Sequence, residues 1–160
     1  MGIAALGFTN GDEVIVADTN WIATAAPMVH LGARSVFFGM LTDSWCIDPD
    51  KVDAAVAPNT EAILAVRLYG NLCNMGRLLA VGEKYGIPVI DDAAETIGFV
   101  YYNKRAGSMG VFGAFSLHGS ETVTTGEGGM LVTSDAALFK RVLTLSSNVV
   151  FKMFNIKCLN

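Results

Sequence analysis

The sequence predicts a three-layer α/β/α fold in which a mostly parallel sheet is covered on both faces by helices. Short apolar segments rich in valine and isoleucine alternate with segments that carry helix-start and helix-stop residues. Several of these apolar segments lack the polar–apolar alternation of a strand with one face in solvent, which indicates burial on both faces. The chain has 160 residues, of which 52% are hydrophobic, so one domain with a substantial core is expected.

The first half of the chain contains three predicted strands, at residues 13–17, 35–38 and 62–68. Residues 2–6 have the pattern of a helix end that Gly7 stops. A helix capped by Asn20 is predicted to reach Leu31, although Pro27 weakens it. The segment Asp48-Pro49-Asp50 is a strong helix start, because aspartate favours the N-cap position and proline the first helical position.

The second half continues the alternation of helices and strands. Apolar residues at helical spacing predict a helix over residues 74–85, which Gly86 ends. Further strands are predicted at residues 87–90, 112–117 and 129–133. A small hairpin over residues 99–108 is expected to turn at Asn103-Lys104, and Ser134 or Asp135 is expected to cap a last helix.

Charge and composition exclude several classes of protein. The net charge is −4 and neither sign forms a long run, so we expect no nucleic-acid partner. No uninterrupted apolar stretch approaches the ~20 residues of a membrane-spanning helix. The N-terminal segment lacks the basic region of a secretory signal, so we expect a cytoplasmic protein without membrane attachment.

The cysteines and histidines do not form a recognisable metal or disulfide pattern. Cys46, Cys73 and Cys158 are widely spaced and odd in number, so we expect reduced and buried thiols. His30 and His118 have no cysteine or acidic partner at zinc-ligand spacing. We therefore expect no metal site.

Three predicted strand ends carry side chains that suit a ligand, which open α/β sheets bind at their carboxyl edge. Trp21 follows the first strand, and either stacks on a planar ligand or fills the core. Asp91 and Asp92 follow a buried strand, and either anchor a protonated ring nitrogen or cap a helix. The glycine-rich and hydroxyl-rich segment from Phe115 to Met130 is either a ligand-binding loop or a tight turn.

Three motifs together carry a resemblance to a known family: G-D-E-V-I-V at 11–16, V-I-D-D-A-A-E at 89–95 and F-S-L-H-G-S-E-T-V-T-T-G-E-G-G-M at 115–130. In this order they resemble the DegT-type nucleotide-sugar aminotransferases, most closely their perosamine-synthase-like members. The resemblance implies a pyridoxal 5′-phosphate (PLP) enzyme of the aspartate-aminotransferase-like fold, known as fold type I. It implies a partial large domain at residues 1–146, a truncated fragment of the family's architecture, followed by a divergent tail at 147–160.

The resemblance also implies a role for five residues. Asp92 matches the aspartate that pairs with the PLP ring nitrogen, and Glu95 matches a residue beside the ring. Trp21 matches the aromatic residue that stacks on the ring, and Ser116 matches the serine that binds the phosphate. Glu121 stands where the family has the lysine that forms the Schiff base with PLP. A carboxylate cannot form an imine, so covalent attachment of PLP is not expected.

The resemblance implies an aminotransferase that uses glutamate and a nucleotide-linked 4-keto sugar, with catalysis impaired by Glu121. One alternative is a non-catalytic pseudoenzyme or partner-binding remnant of that family. Another is a dehydratase-like use of pyridoxamine phosphate with Glu121 or His118 as base. A homodimer, or pairing with a full-length relative, is the expected assembly. Arg67 replaces a histidine that is usual in the family, and it needs a partner if it is buried.

Overall fold

A computed structural model of the chain, which describes residues 1–147 and 154–158, confirms the α/β architecture. Seven strands form one sheet, and two further short strands form a separate hairpin. The strands are β1 (Glu13–Ala17), β2 (Arg34–Phe38), β3 (Thr60–Val66), β4 (Val89–Asp92), β5 (Val100–Tyr101), β6 (Lys104–Arg105), β7 (Gly113–Ser116), β8 (Gly129–Thr133) and β9 (Phe154–Cys158).

The described residues form five α-helices: α1 (Gly2–Leu6), α2 (Ile22–His30), α3 (Pro49–Ala55), α4 (Met75–Tyr85) and α5 (Ala136–Ser147). Two of these five helices, α3 and α5, have a predicted residue as their side-chain N-cap. The Asp48 carboxylate accepts the Asp50 N–H at 2.9 Å at the start of α3, and Asp135 accepts the N–H groups of Ala137 and Leu138 at the start of α5. Within the described part of the chain, no helix is both long and apolar enough to cross a membrane.

The strand order of the sheet is β2-β1-β3-β4-β7-β8-β9. All neighbouring pairs are parallel except β7 and β8, which are antiparallel. Val66 at the end of β3 lies opposite Asp92 at the end of β4, and Asp92 lies opposite Ala114 in β7. The carboxyl ends of β3, β4 and β7 therefore meet at one edge of the sheet.

Two apolar cores lie on opposite faces of the sheet. Val14 and Val16 of β1 belong to the core beneath α1, α2 and α5, whereas Ile15 belongs to the core beneath α3 and α4. Successive side chains of a strand point to opposite faces of the sheet, and both faces are covered here, so every residue of β1 is buried. The predicted burial on both faces is confirmed.

The boundaries of the two central strands differ from the prediction. β3 ends at Val66 because the chain leaves the sheet in a 3₁₀ turn, Leu68–Gly70, in which Tyr69 has a φ of 54°. β4 begins at Val89 and includes Asp92, so both aspartates lie within the strand rather than after it. No helix follows Asp92, and the interpretation of these aspartates as helix caps is wrong.

Two local predictions of capping and turn residues are also wrong. Trp21 is the N-cap of α2, and the Asn20 side chain instead accepts the Trp21 N–H at 2.8 Å. The hairpin turns at Tyr102 and Asn103, whose φ values are 44° and 64°. A two-residue turn of this hand needs positive φ at both positions, and it therefore fixes the pairing of Tyr101 with Lys104.

Most of the predicted tail at residues 147–160 lies outside the described residues. Ser147 ends α5, and β9 pairs in parallel with β8 at the edge of the sheet. The predicted burial of the thiols is confirmed for Cys46 and Cys73. The Cys158 side chain lies outside the described part.

Gly113 lies against the backbone of Gly107, and a Cβ at position 113 would overlap the Gly107 carbonyl oxygen. We expect Gly113→Ala to lower the free energy of unfolding by about 1–3 kcal/mol, because backbone must move to relieve the overlap. The matched control is Gly39→Ala, whose Cβ would meet only the Lys51 Nζ, at 3.6 Å. Urea denaturation of both variants checks the expectation, and an equal effect of the two substitutions would contradict it.

Candidate functional site

A cavity of about 440 Å³ opens at the edge where β3, β4 and β7 end. It is lined by the start of α2, by the ends of these three strands and by the loop after β7. All five residues that the sequence singled out line this one cavity: Trp21, Asp92, Glu95, Ser116 and Glu121. They come from three separate parts of the chain, and the parallel topology brings them together.

The Asp92 carboxylate lines the cavity and is held by two hydrogen bonds. Its Oδ2 accepts the Thr24 hydroxyl at 3.2 Å, and its Oδ1 accepts the Ala94 N–H at 3.2 Å. Burial raises the pKa of this carboxyl to about 6, against the smaller opposing effect of these two hydrogen bonds. Above that pH the cavity holds a desolvated negative charge, which suits a cationic ligand atom.

Asp91, the preceding residue, points to the opposite face of the sheet and has a different function. The Arg67 Nε donates to its Oδ1 at 2.7 Å, and the Arg67 Nη2 donates to its Oδ2 at 3.2 Å. The Gly107 N–H also donates to Oδ2, at 2.8 Å. Both charged side chains are fully buried. The sequence predicted that a buried Arg67 would need a partner, and Asp91 is that partner.

Glu95 is held at the rim of the cavity by the unusual turn after β3. The backbone N–H of Tyr69 donates to the Glu95 Oε2. Tyr69 has a left-handed backbone conformation, which a bulky residue adopts only at a cost of about 1–3 kcal/mol. The turn thus orients its N–H toward Glu95 and fixes one carboxylate oxygen.

The loop between β7 and β8 is held by its own hydrogen bonds. The Thr125 N–H donates to the Leu117 carbonyl at 3.0 Å, and the Leu117 N–H donates to the Gly128 carbonyl at 3.0 Å. The Ser116 Oγ accepts the His118 N–H at 3.4 Å, and the Glu121 N–H donates to the His118 carbonyl at 3.0 Å. The interpretation as a tight turn is wrong, because this is a long, folded loop that lines a cavity.

The Trp21 side chain is 68% exposed at the start of α2, so the interpretation as a core tryptophan is wrong. Thr24, three residues later, was not singled out from the sequence, although its hydroxyl binds Asp92. The helical spacing from Trp21 to Thr24 is the signal that places both residues on the same side of the first turn of α2.

A second cavity, of about 420 Å³, shares Thr24 and Asp92 with the first. Its other walls are mainly apolar, from α1, β3, β4 and β8. The first cavity is the better candidate of the two for a functional site, because it is lined by more polar and charged groups.

Comparison with known proteins agrees with this geometry. Residues 1–154 match the DegT/DnrJ/EryC1/StrS aminotransferase family. The chain belongs to this family. It is 38% identical over 145 residues to the GDP-perosamine synthase of Caulobacter vibrioides, a match that covers 91% of this chain and 39% of that protein.

Solved structures of family relatives have the same fold. An aminotransferase from Psychrobacter cryohalolentis superposes with a TM-score of 0.89 at 33% identity, covering 91% of this chain and 37% of that one. The GDP-4-keto-6-deoxy-D-mannose-3-dehydratase of E. coli, solved with bound hydrated PLP, gives 0.84 at 34% identity, covering 90% and 39%. The chain thus spans about two fifths of the length of the relatives it matches, and its fold is that of the fold type I PLP enzymes.

The first prediction from the site concerns the buried ion pair. We expect Arg67→Met to lower the free energy of unfolding by about 3–5 kcal/mol, because Asp91 is left charged and buried without its partner. The double variant Arg67→Met/Asp91→Asn should recover most of this loss, since the asparagine oxygen still accepts the Gly107 N–H. Urea denaturation measures both effects, and a double variant as unstable as the single one would contradict the charge argument.

The second prediction concerns the pH dependence that Asp92 causes. Its folded-state pKa, about 6, lies above the ordinary value of 3.8, so the folded protein binds the proton more tightly than the unfolded chain. The contribution of this group to the free energy of unfolding is therefore fully present below about pH 4 and is lost as the pH rises through about 6. At 1.36 kcal/mol per unit of pKa, the loss is about 2–3 kcal/mol.

The neutral variant Asp92→Asn should lack this loss. We expect it to be more stable than the parent at pH 7.5 and to approach the parent as the pH falls to 4. Parallel denaturation curves from pH 4 to 8 check this difference. If the difference in the free energy of unfolding between parent and variant does not change with pH, burial of the Asp92 carboxylate costs no free energy and the prediction is wrong.

Proposed function

We propose that this chain is a sugar-biosynthesis aminotransferase relative that binds PLP without a covalent bond and does not transaminate by itself. The observation that carries the proposal is the convergence of Trp21, Asp92, Ser116 and Glu121 on one cavity. The first three suit a pyridine-ring cofactor with a phosphate group, and the fourth lacks the chemistry of covalent attachment.

The ring end of PLP fits the cavity. The ionised Asp92 has hydrogen-bond donors in Thr24 and Ala94 but no cationic partner among the described residues. A protonated ring nitrogen would supply that missing positive charge. When bound, PLP supplies an electron sink, which the protonated ring nitrogen strengthens. Trp21 would cover a face of the ring, and the Ser116 hydroxyl would donate to the phosphate.

The reactive end of PLP does not meet a matching residue. Glu121 lines the cavity at the position of the family lysine, and none of the described lining residues is a lysine. A carboxylate neither forms an imine with an aldehyde nor replaces an amine that carries a proton to and from a substrate carbon. We infer that the chain retains binding of the cofactor and has lost the transamination step.

The substrate class follows from descent. A relative named GDP-perosamine synthase and another named for a GDP-linked keto-deoxy sugar both share this fold. We propose that the ancestral site served a nucleotide-linked 4-keto sugar with glutamate as amino donor, in the cytoplasm. Where the chain pairs with a second copy or a full-length relative, those ligands reach a completed site.

A partner-binding role is the second candidate function, and exposed apolar side chains favour it. Ile22 is 76% exposed and Tyr102 is 87% exposed, although both are large and apolar or aromatic. Trp45 and Tyr69 form an edge-to-face pair with ring centroids 5.8 Å apart, and both are substantially exposed. Exposed large apolar and aromatic side chains are common on surfaces that another protein covers.

Calorimetric titration with PLP tests binding, and borohydride reduction tests attachment. We expect the parent to bind PLP, and Asp92→Asn to bind it at least tenfold more weakly because the counter-charge for the ring nitrogen is gone. In the parent, borohydride reduction after incubation with PLP should leave no covalent PLP adduct whose formation added pyridoxine 5′-phosphate prevents. Glu121→Lys should gain such an adduct at position 121, whereas Glu127→Lys, on the same loop, should not.

Two outcomes would contradict the proposal. The absence of PLP binding would remove its first part. The second part, loss of transamination, would be wrong if two results were obtained in the parent. One is a PLP adduct that borohydride traps and that pyridoxine 5′-phosphate prevents, and the other is conversion of a nucleotide-linked keto sugar to its amine.

A further inference from the structure

The Glu121 carboxylate is the acidic group of the cavity that has no partner within the described chain. Its backbone is fixed, since its N–H donates to the His118 carbonyl at 3.0 Å. Its side chain is half-buried and lines the cavity. No hydrogen bond or ion pair to this carboxylate is present among the described residues.

The other charged groups around the cavity have hydrogen-bond partners, which for the carboxylates are not cations. Asp92 has two hydrogen-bond donors, and Glu95 has the Tyr69 N–H. Arg67 is a cationic lining residue, and its charge is neutralised by the two hydrogen bonds to Asp91. The described lining therefore carries three uncompensated carboxylates, which favour a ligand with positive charge at more than one position.

We propose that Glu121 selects the amine form of the cofactor, pyridoxamine 5′-phosphate, by pairing its carboxylate with the ammonium group of that ligand. This inference rests on the proposed function, which places a pyridine-ring cofactor in the cavity. Asp92 and Glu121 would then each meet one cationic group of the same ligand. PLP itself carries a neutral aldehyde in place of the ammonium group and leaves Glu121 unpaired.

The phosphate group opposes this preference only to a limited extent, because it is common to both cofactor forms. Repulsion between Glu121 and the phosphate weakens the binding of either form equally and cancels from their ratio. The ratio of affinities therefore isolates the interaction at the ring substituent. Pyridoxine 5′-phosphate, which has a neutral hydroxymethyl group and no aldehyde, is the matched ligand for comparison.

The experiment measures the dissociation constants of pyridoxamine 5′-phosphate and pyridoxine 5′-phosphate by calorimetry at pH 7.5. We expect the parent to bind the amine at least tenfold more tightly than the alcohol. Glu121→Gln should reduce that ratio to about two or less, and Glu121→Lys should invert it. The control Glu83→Gln, an exposed change of the same charge on α4, should keep the parental ratio.

Each contrary outcome identifies what has failed. Equal affinities in the parent would overturn the selection by Glu121 and leave the proposed cofactor site intact. If both Glu121 variants, shown by circular dichroism to be folded, keep the parent's ratio of affinities for the amine and the alcohol, the preference comes from another group and the inference is wrong. Absence of binding by both ligands would overturn the inference together with the proposed function.

Discussion

The buried ion pair between Arg67 and Asp91 is the interaction on which the site geometry depends. Arg67 leaves β3 and Asp91 lies in β4, so their two hydrogen bonds join the ends of neighbouring strands. Asp91 also accepts the Gly107 N–H, and Gly107 lies against Gly113 at the start of β7. The strands β3, β4 and β7 are thereby connected to one another next to the cavity. A buried pair contributes little net stability, but neither partner is tolerated alone.

Two adjacent aspartates act in opposite ways because a strand alternates its side chains. Asp91 faces the core beneath α3 and α4, where Arg67 neutralises it. Asp92 faces the cavity, where burial without a cation raises its pKa to about 6. The protein thus holds one carboxylate for structure and keeps the next one available to a ligand. A pKa shift of this kind is common at functional sites.

The end of β7 and the loop after it combine an ordered backbone with two side chains that line the cavity, Ser116 and Glu121. Backbone hydrogen bonds of Leu117, Thr125 and Gly128 hold the loop in place. Membership of the DegT/DnrJ/EryC1/StrS family establishes the fold of this chain, and the proposed loss of transamination is argued from the carboxylate at Glu121.

The sequence by itself determined the fold class, the helix cap at Asp48 and the candidate residues of the site, because these depend on local pattern and motif; it left Ser134 or Asp135 open as the cap of α5. It did not determine the end of β3, the turn at Tyr102-Asn103 or the contribution of Thr24. Those features follow from contacts between distant segments, which local propensity does not contain. Only the tertiary structure placed the site residues on one cavity, since that requires the register of three parallel strands.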